Sequence, residues 1–373
     1  MFSHLQSSRL TRRGVLRAGA LLAGVSAVPL LAACSGSAAT PTAAATALVA
    51  KPTTVPTTAP AQPTTAPTAA ASPTAAATAA PTTAAAASPT TAAASPTVAA
   101  AANTTPSSIS TKFFTATSTK SFANTVSALK TAVSGAGMMV LGTLNQAGAL
   151  SVAGLQLKGA ETFFIGNPSV GKMFFQADPA IGAVLPLRLY TWVNDAGKAE
   201  VGYFDPVSLM TAVDPHLADQ AQKLAMAAAK VTQAATGAAP APSATVNAQF
   251  VTVSSSKSFT ETVNGLKTST SSAGMMVLGQ LNQAGALSMT GLHLAGAQSF
   301  FVGNPTTGKM FFQTDPAIGI VIPVGMYVWV NSAGKTEIGY FDPGPLMAGI
   351  NPKLTKPGQQ LSQMAAKITQ GAA

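Results

Sequence analysis

Ala136-Gly137-Met138-Met139-Val140-Leu141-Gly142-Thr143-Leu144-Asn145-Gln146-Ala147-Gly148-Ala149-Leu150 returns 137 residues later, at 273–287, with Gln280 in place of Thr143 as its one change. The register holds on both sides without a gap. Lys120-Ser121-Phe122 matches Lys257-Ser258-Phe259, residues 171–176 match 308–313, and Gly202-Tyr203-Phe204-Asp205-Pro206 matches 339–343. A period this long means two tandem domains rather than a solenoid, whose units are 20 to 50 residues. The units span 111–235 and 248–373, and the Ala/Pro-rich residues 236–247 between them read as a linker.

Within one unit the periodicities change several times. Residues 113–117 read as a strand, and Ser121-Phe122 opens a helix to about Ser134, closed by Gly135 or Gly137. Residues 138–144 and 162–165 are apolar strands, the second stopping at Gly166-Asn167-Pro168, and 172–177 make a short helix ended by Asp178-Pro179. Residues 183–193 and 199–204 form a hairpin about Asn194-Asp195-Ala196-Gly197, and 217–234 is a closing helix. Each unit is thus α+β, a small antiparallel sheet covered by helices.

Asn167-Pro168, Asp178-Pro179-Ala180-Ile181-Gly182, Pro186 and Asp205-Pro206, repeated as Asn304-Pro305, Asp315-Pro316, Pro323 and Asp342-Pro343, resemble the bacterial DUF302 domain. The resemblance covers both units. It implies a TBP-like α+β fold that pairs with a second copy, here an internal pseudo-dimer, and it implies no settled activity. Many members carry cysteines before the Asn-Pro and after the strand proline. This chain has Gly166, Gly303, Leu187 and Val324 there, so a thiol-dependent role does not carry over.

The first third of the chain is of another kind. Thr11-Arg12-Arg13-Gly14-Val15-Leu16-Arg17 resembles a twin-arginine export signal, and the apolar run 18–33 is shorter than the roughly 20 residues that span a bilayer. The run ends Leu31-Ala32-Ala33-Cys34, which resembles a lipobox. The expectation is a signal peptide over 1–33, cleaved to leave Cys34 lipidated and the protein anchored in the cell envelope outside the cytoplasmic membrane. Residues 35–110 are almost wholly Ala, Thr, Pro and Ser, with Lys51 as their single charge. Such a segment has little to bury and reads as a disordered stalk, with an extended limit on the order of 230 Å and a coil average near ~50 Å.

Composition narrows the chemistry. The net charge of +10 includes Arg9, Arg12, Arg13 and Arg17 of the leader; without them 17 basic residues face 11 acidic ones. Those are dispersed, with none of the clustered Lys/Arg of a phosphate-tracking surface, so nucleic acid is not an expected partner. One cysteine permits no intrachain disulfide and no thiolate metal cage. His216 corresponds to Lys353 and His293 to Gln156, so neither histidine is repeated, and no metal or cofactor is expected.

The candidate ligand-binding or structural residues are Asn167, Asp178, Asp205 and their copies Asn304, Asp315 and Asp342. Asp178 and Asp205 suit paired acid/base carboxylates in principle. Each precedes a proline, which favours turns and backbone capping instead. The asparagines stand where a strand meets a helix, positioned to cap it or to face a ligand. Met138-Met139, Met173 and Phe174-Phe175 are core residues or the lining of an apolar pocket. The leading reading is a lipid-anchored binding or interaction module whose partner is an unknown small molecule or envelope protein. The others are a carrier of a small apolar ligand, an enzyme using Asp and Lys groups, and a structural envelope protein.

Overall fold

The computed structural model describes residues 107–373. The leader features Arg12, Arg13, Leu31, Ala33 and Cys34 lie outside the described residues, as does the stalk up to residue 106. The first unit runs β1 (Ser107–Thr117), α1 (Phe122–Gly135), β2 (Met139–Asn145), α2 (Gln146–Val152), β3 (Ala160–Gly166), α3 (Pro168–Ala177), β4 (Leu187–Val193), β5 (Ala199–Phe204), α4 (Pro206–Val213) and α5 (Ala218–Thr236). The second repeats the order as β6 (Ala241–Ser255), α6 (Phe259–Ser272), β7 (Met276–Asn282), α7 (Gln283–Ser288), β8 (Ala297–Gly303), α8 (Pro305–Thr314), β9 (Val324–Val330), β10 (Thr336–Phe341), α9 (Pro343–Ile350) and α10 (Thr355–Ala372). A 3₁₀ turn follows α3 at Pro179–Ala183 and α8 at Pro316–Ile320.

The two units share one antiparallel sheet, ordered β2-β3-β4-β5-β1-β6-β10-β9-β8-β7. The β1–β6 pair joins them at the centre, and the sheet curls until its edges meet. There Phe164 stacks on its own copy Phe301 at 4.3 Å between ring centroids. Leu281 reaches Gly142, and Leu144 reaches Gly279.

Strands β3 and β4 are buried on both faces, so they read as continuous apolar runs instead of alternating ones. Phe163, Ile165, Leu187 and Leu189 face α1 and α5, where they meet Leu129, Val133, Ala228 and Val231. Phe164, Tyr190 and Trp192 face the other way. Tyr190 and Trp192 stack at 5.1 Å, and their copies Tyr327 and Trp329 do so at 5.2 Å.

Eight helical starts obey one rule. Asn167, Asp178, Asp205, Asp214, Asn304, Asp315, Asp342 and Asn351 are each the N-cap of a helix or 3₁₀ turn, and each is followed by proline at the first position. The side-chain oxygen accepts from the orphan N–H groups, and proline has no N–H to leave unpaired.

Several boundaries differ from the sequence expectations. Residues 241–247, expected within the linker, are the first half of the fifteen-residue strand β6, and the stretch that turns between the units lies before Ala241. Their Ala, Pro and Ser content has little β-propensity of its own. The strand forms because β1 supplies a ladder of backbone partners from Ser107↔Phe250 to Thr115↔Ala241. Pro242 sits at a bulge, where Phe113↔Ala244 steps to Phe114↔Pro242, and the skipped Ser243 hydroxyl donates to the Phe113 carbonyl at 3.1 Å. By the same pairing β1 begins at Ser107, so 107–110 of the expected stalk are strand. The helix expected over 172–177 starts four residues earlier at Pro168, and the strand expected from 183 starts at Leu187, after the 3₁₀ turn. Helices α2 and α4 had no counterpart in the expectation.

Candidate functional site

The candidate residues are engaged locally. Asn167 Oδ1 accepts from the N–H of Ser169 at 2.9 Å, while its Nδ2 donates to the Gly137 carbonyl at 2.8 Å. Asn304 repeats both, to Thr306 and Gly274. Each asparagine therefore caps its helix and ties it to the loop before β2 or β7. Asp178 accepts from Ala180 at 2.8 Å, Asp315 from Ala317 at 2.9 Å, Asp205 from Val207 at 3.1 Å and Asp342 from Gly344 at 3.0 Å. Asp342 also takes a short hydrogen bond from Ser362. Burial raises Asp178 above the ordinary carboxylate range, the Ala180 N–H partly offsets this, and the Asp214 charge adds to it. Tyr203 is pushed up to about 12 by burial first and by Asp205 second.

The repeated lysines are also placed. Lys120 Nζ donates to the Ala235 carbonyl at 2.8 Å and Lys257 Nζ to Ala372 at 3.0 Å, each closing the C-terminus of the last helix of its unit. Lys172 Nζ crosses to the Thr290 carbonyl of the second unit at 3.2 Å. His216 is exposed and meets Asp214 at 3.0 Å. Among the described residues, no group of three or more His, Cys, Asp or Glu side chains is placed to hold a metal, and no helix is long and apolar enough to cross a membrane.

What the fold does assemble is an apolar groove of about 470 Å³ beside Asn167-Pro168. Its floor is the end of β3 at Ile165-Gly166 with Leu185-Pro186. Met173 and Phe174 of α3 form one wall, Leu224 and Ala227 of α5 another, and Met138 with Leu141 closes an end. The fourth side comes from the other unit, as Gln283, Ala286 and Leu287 of α7. Helix α3 packs on α7, and α2 packs on α8 in the same way, so each unit lends a short helix to its neighbour. Neither α2 nor α7 was visible as a helix in the sequence, and with them went the signal that the groove is shared. Met138 lines the groove; Met139, considered beside it, is 51% exposed and does not.

A smaller cavity of about 120 Å³ lies between the units, next to Phe164, Phe301 and Arg188. Arg188 donates to the carbonyls of Gly319, Val321 and Pro323 at 3.0, 3.4 and 3.1 Å, and its Nε is buried without a partner. Burial lowers this guanidinium to about 9. Gly325 stands at the matching position in the second unit, so the two halves are not equivalent here.

A protein of Brucella suis biovar 1 described as fluoride-specific ion channel FluC 1 is 27% identical over 104 residues, which is 28% of this chain and 41% of that protein. An uncharacterized protein of Aquifex aeolicus is 30% identical over 102 residues, 27% of this chain and 65% of its own length. The chain thus spans about two fifths of the fluoride-channel relative. A crystal structure of an uncharacterized conserved DUF302 protein from Bacillus stearothermophilus aligns with TM-score 0.31 and 19% identity, covering 33% of this chain and 97% of that one. The family model described as domain of unknown function DUF302 matches residues 114–235 and again 251–371, more than half of the 373 residues, and the chain belongs to the DUF302 family as a tandem pair of its domains.

Proposed function

We propose that the chain is an envelope protein, exported by its twin-arginine leader and anchored through lipidated Cys34, whose tandem DUF302 domains bind a small apolar molecule. The observation that carries the binding reading is the 470 Å³ groove, which has the size and apolar lining of small-molecule sites. The cap side chains support it from behind. Asn167 uses both ends of its amide on backbone, so it holds α3 against the loop before β2 and offers the groove little unpaired polarity. Methionines suit such a wall because the unbranched thioether adapts to irregular shapes.

The anchor is supported by the order of features in the leader: twin arginines, short apolar run, then small residues ahead of the cysteine. Nothing in this reading assigns a reaction. The aspartates that would serve one are occupied as caps, and the binding of a ligand needs none of them.

Two measurements test the two halves separately. Uptake of the apolar fluorophore N-phenyl-1-naphthylamine should be lost at least tenfold in Met173→Asp, since Met173 is 50% exposed and the change puts a charge in the lining without touching the core. Equal uptake by both proteins contradicts the binding reading. Cys34→Ser should move the protein from the membrane fraction to the soluble one, and unchanged partition contradicts the anchor.

A further inference from the structure

The two units pack matching parts together, α3 with α7 beside the groove of the first unit and α8 with α2 at the same place in the second, yet they differ along the last helix. At the offset of 137, Ala227 of α5 becomes Met364 of α10, Lys223 becomes Gln360, and Gln220 becomes Pro357, while Leu224 stays Leu361. Met364 carries three more heavy atoms than alanine, and it packs against the core that contains Phe311, Phe312 and Leu150. Those are the copies of Phe174, Phe175 and Leu287, the residues around the groove of the first unit.

A polar difference accompanies the steric one. Gln220 lines the first groove, and its Oε1 is buried with no hydrogen-bond partner. A buried acceptor left without a partner is destabilising, and a ligand donor that reached it would relieve this. Lys223, three residues on along the same face of α5, is exposed at the rim and is the one charged residue in the lining. In the second unit the position of Gln220 is proline, so the unsatisfied acceptor occurs only beside the groove that Ala227 leaves open.

We propose that each chain takes one ligand, in the groove of the first unit alone, and that this ligand is an apolar body ending in a hydroxyl that donates to Gln220 and accepts from Lys223. The proposal rests on reading the groove as a ligand site. Met364 closes the matching groove of the second unit, so duplication has left one half to bind and the other to lend α7 as a wall.

The test is titration of the full chain with decanol and decyl methyl ether, read by isothermal calorimetry. The expected result is one site, with the alcohol bound about tenfold more tightly than the ether, and with that preference gone in Gln220→Leu. Ala227→Met should remove the site, and Met364→Ala should add a second one. The Met364→Ala arm keeps the test decisive if Ala227→Met fails to fold. Two equivalent sites in the unaltered chain overturn the one-sided assignment while leaving the groove as a ligand site. Equal affinity for alcohol and ether overturns the hydroxyl assignment. No uptake of either probe by the unaltered chain or by Met364→Ala overturns both the proposal and the reading beneath it.

Discussion

The Tyr327 hydroxyl donates to the Pro179 carbonyl at 2.9 Å, and its copy Tyr190 donates to Pro316 at 3.0 Å, so this pair of tyrosines links the units reciprocally. The receiving segment is the Asp-Pro-Ala-Ile-Gly turn. Its glycine has a packing reason: a Cβ on Gly182 would lie 2.2 Å from the Tyr327 ring, and one on Gly319 equally close to Tyr190. Gln283 adds a bond from Nε2 to the Leu185 carbonyl at 3.4 Å, and Gln146 one to Gly319 at 3.3 Å. The motif that marks the family in sequence is thus, in structure, the seat for the neighbouring domain.

Tyr327→Phe should lower the free energy of unfolding by about 1 kcal/mol, because it removes one hydrogen bond and leaves the ring in place. Gly182→Ala should cost more, about 1 to 3 kcal/mol, since the ring it meets is fully buried. Urea denaturation of the pair gives the order, and a smaller loss for the glycine variant would contradict the packing account.

Residues 241–247 distinguish a linker from a strand. Val246 is buried, pairs with Thr111 and packs against Gly349. Val246→Ala should therefore destabilise by about 2 kcal/mol, where a linker residue would be silent. The readout is the urea midpoint, and no shift contradicts the strand's contribution to joining the units.

Asp178 and Asp315 sit in matching turns with different neighbours. Asn351 donates to Asp315 at 3.2 Å, whereas the first unit has Asp214 at the position of Asn351. The folded state holds the Asp178 proton to higher pH than the unfolded chain does, so stability is lost as pH rises through its folded value. Asp214→Asn removes one cause of that shift and still caps the turn, as Asn351 does by accepting from Lys353. It should stabilise the protein by about 0.5 kcal/mol at neutral pH, a figure already reduced for solvent screening, and the gain should vanish as pH falls below the carboxylate range. Urea midpoints across that range check this, and a gain independent of pH contradicts it.

The sequence carried the duplication, the α+β class and the capping roles because each is local or repeats at a fixed offset. Ser121 and Ser258 cap their helices where expected, and Ala199–Phe204 is the strand expected over 199–204. The first half of β6 was hidden because its partner β1 is more than a hundred residues away, and Ala241–Val246 has no pattern without it. Helix α4 was legible in principle, since Asp205-Pro206 has the same cap and proline as Asn167-Pro168. The groove was not: Met138, Phe174, Ala227 and Leu287 come from a loop, three helices and two domains, and nothing in their spacing brings them together.

Native mass spectrometry of the full chain, taken from its own membranes without stripping small molecules, tests the central claim most directly. The account predicts one non-covalently bound apolar molecule per chain, released intact on gentle activation and absent from the Ala227→Met variant. A chain that arrives with no bound molecule and takes up neither decanol nor decyl methyl ether contradicts it.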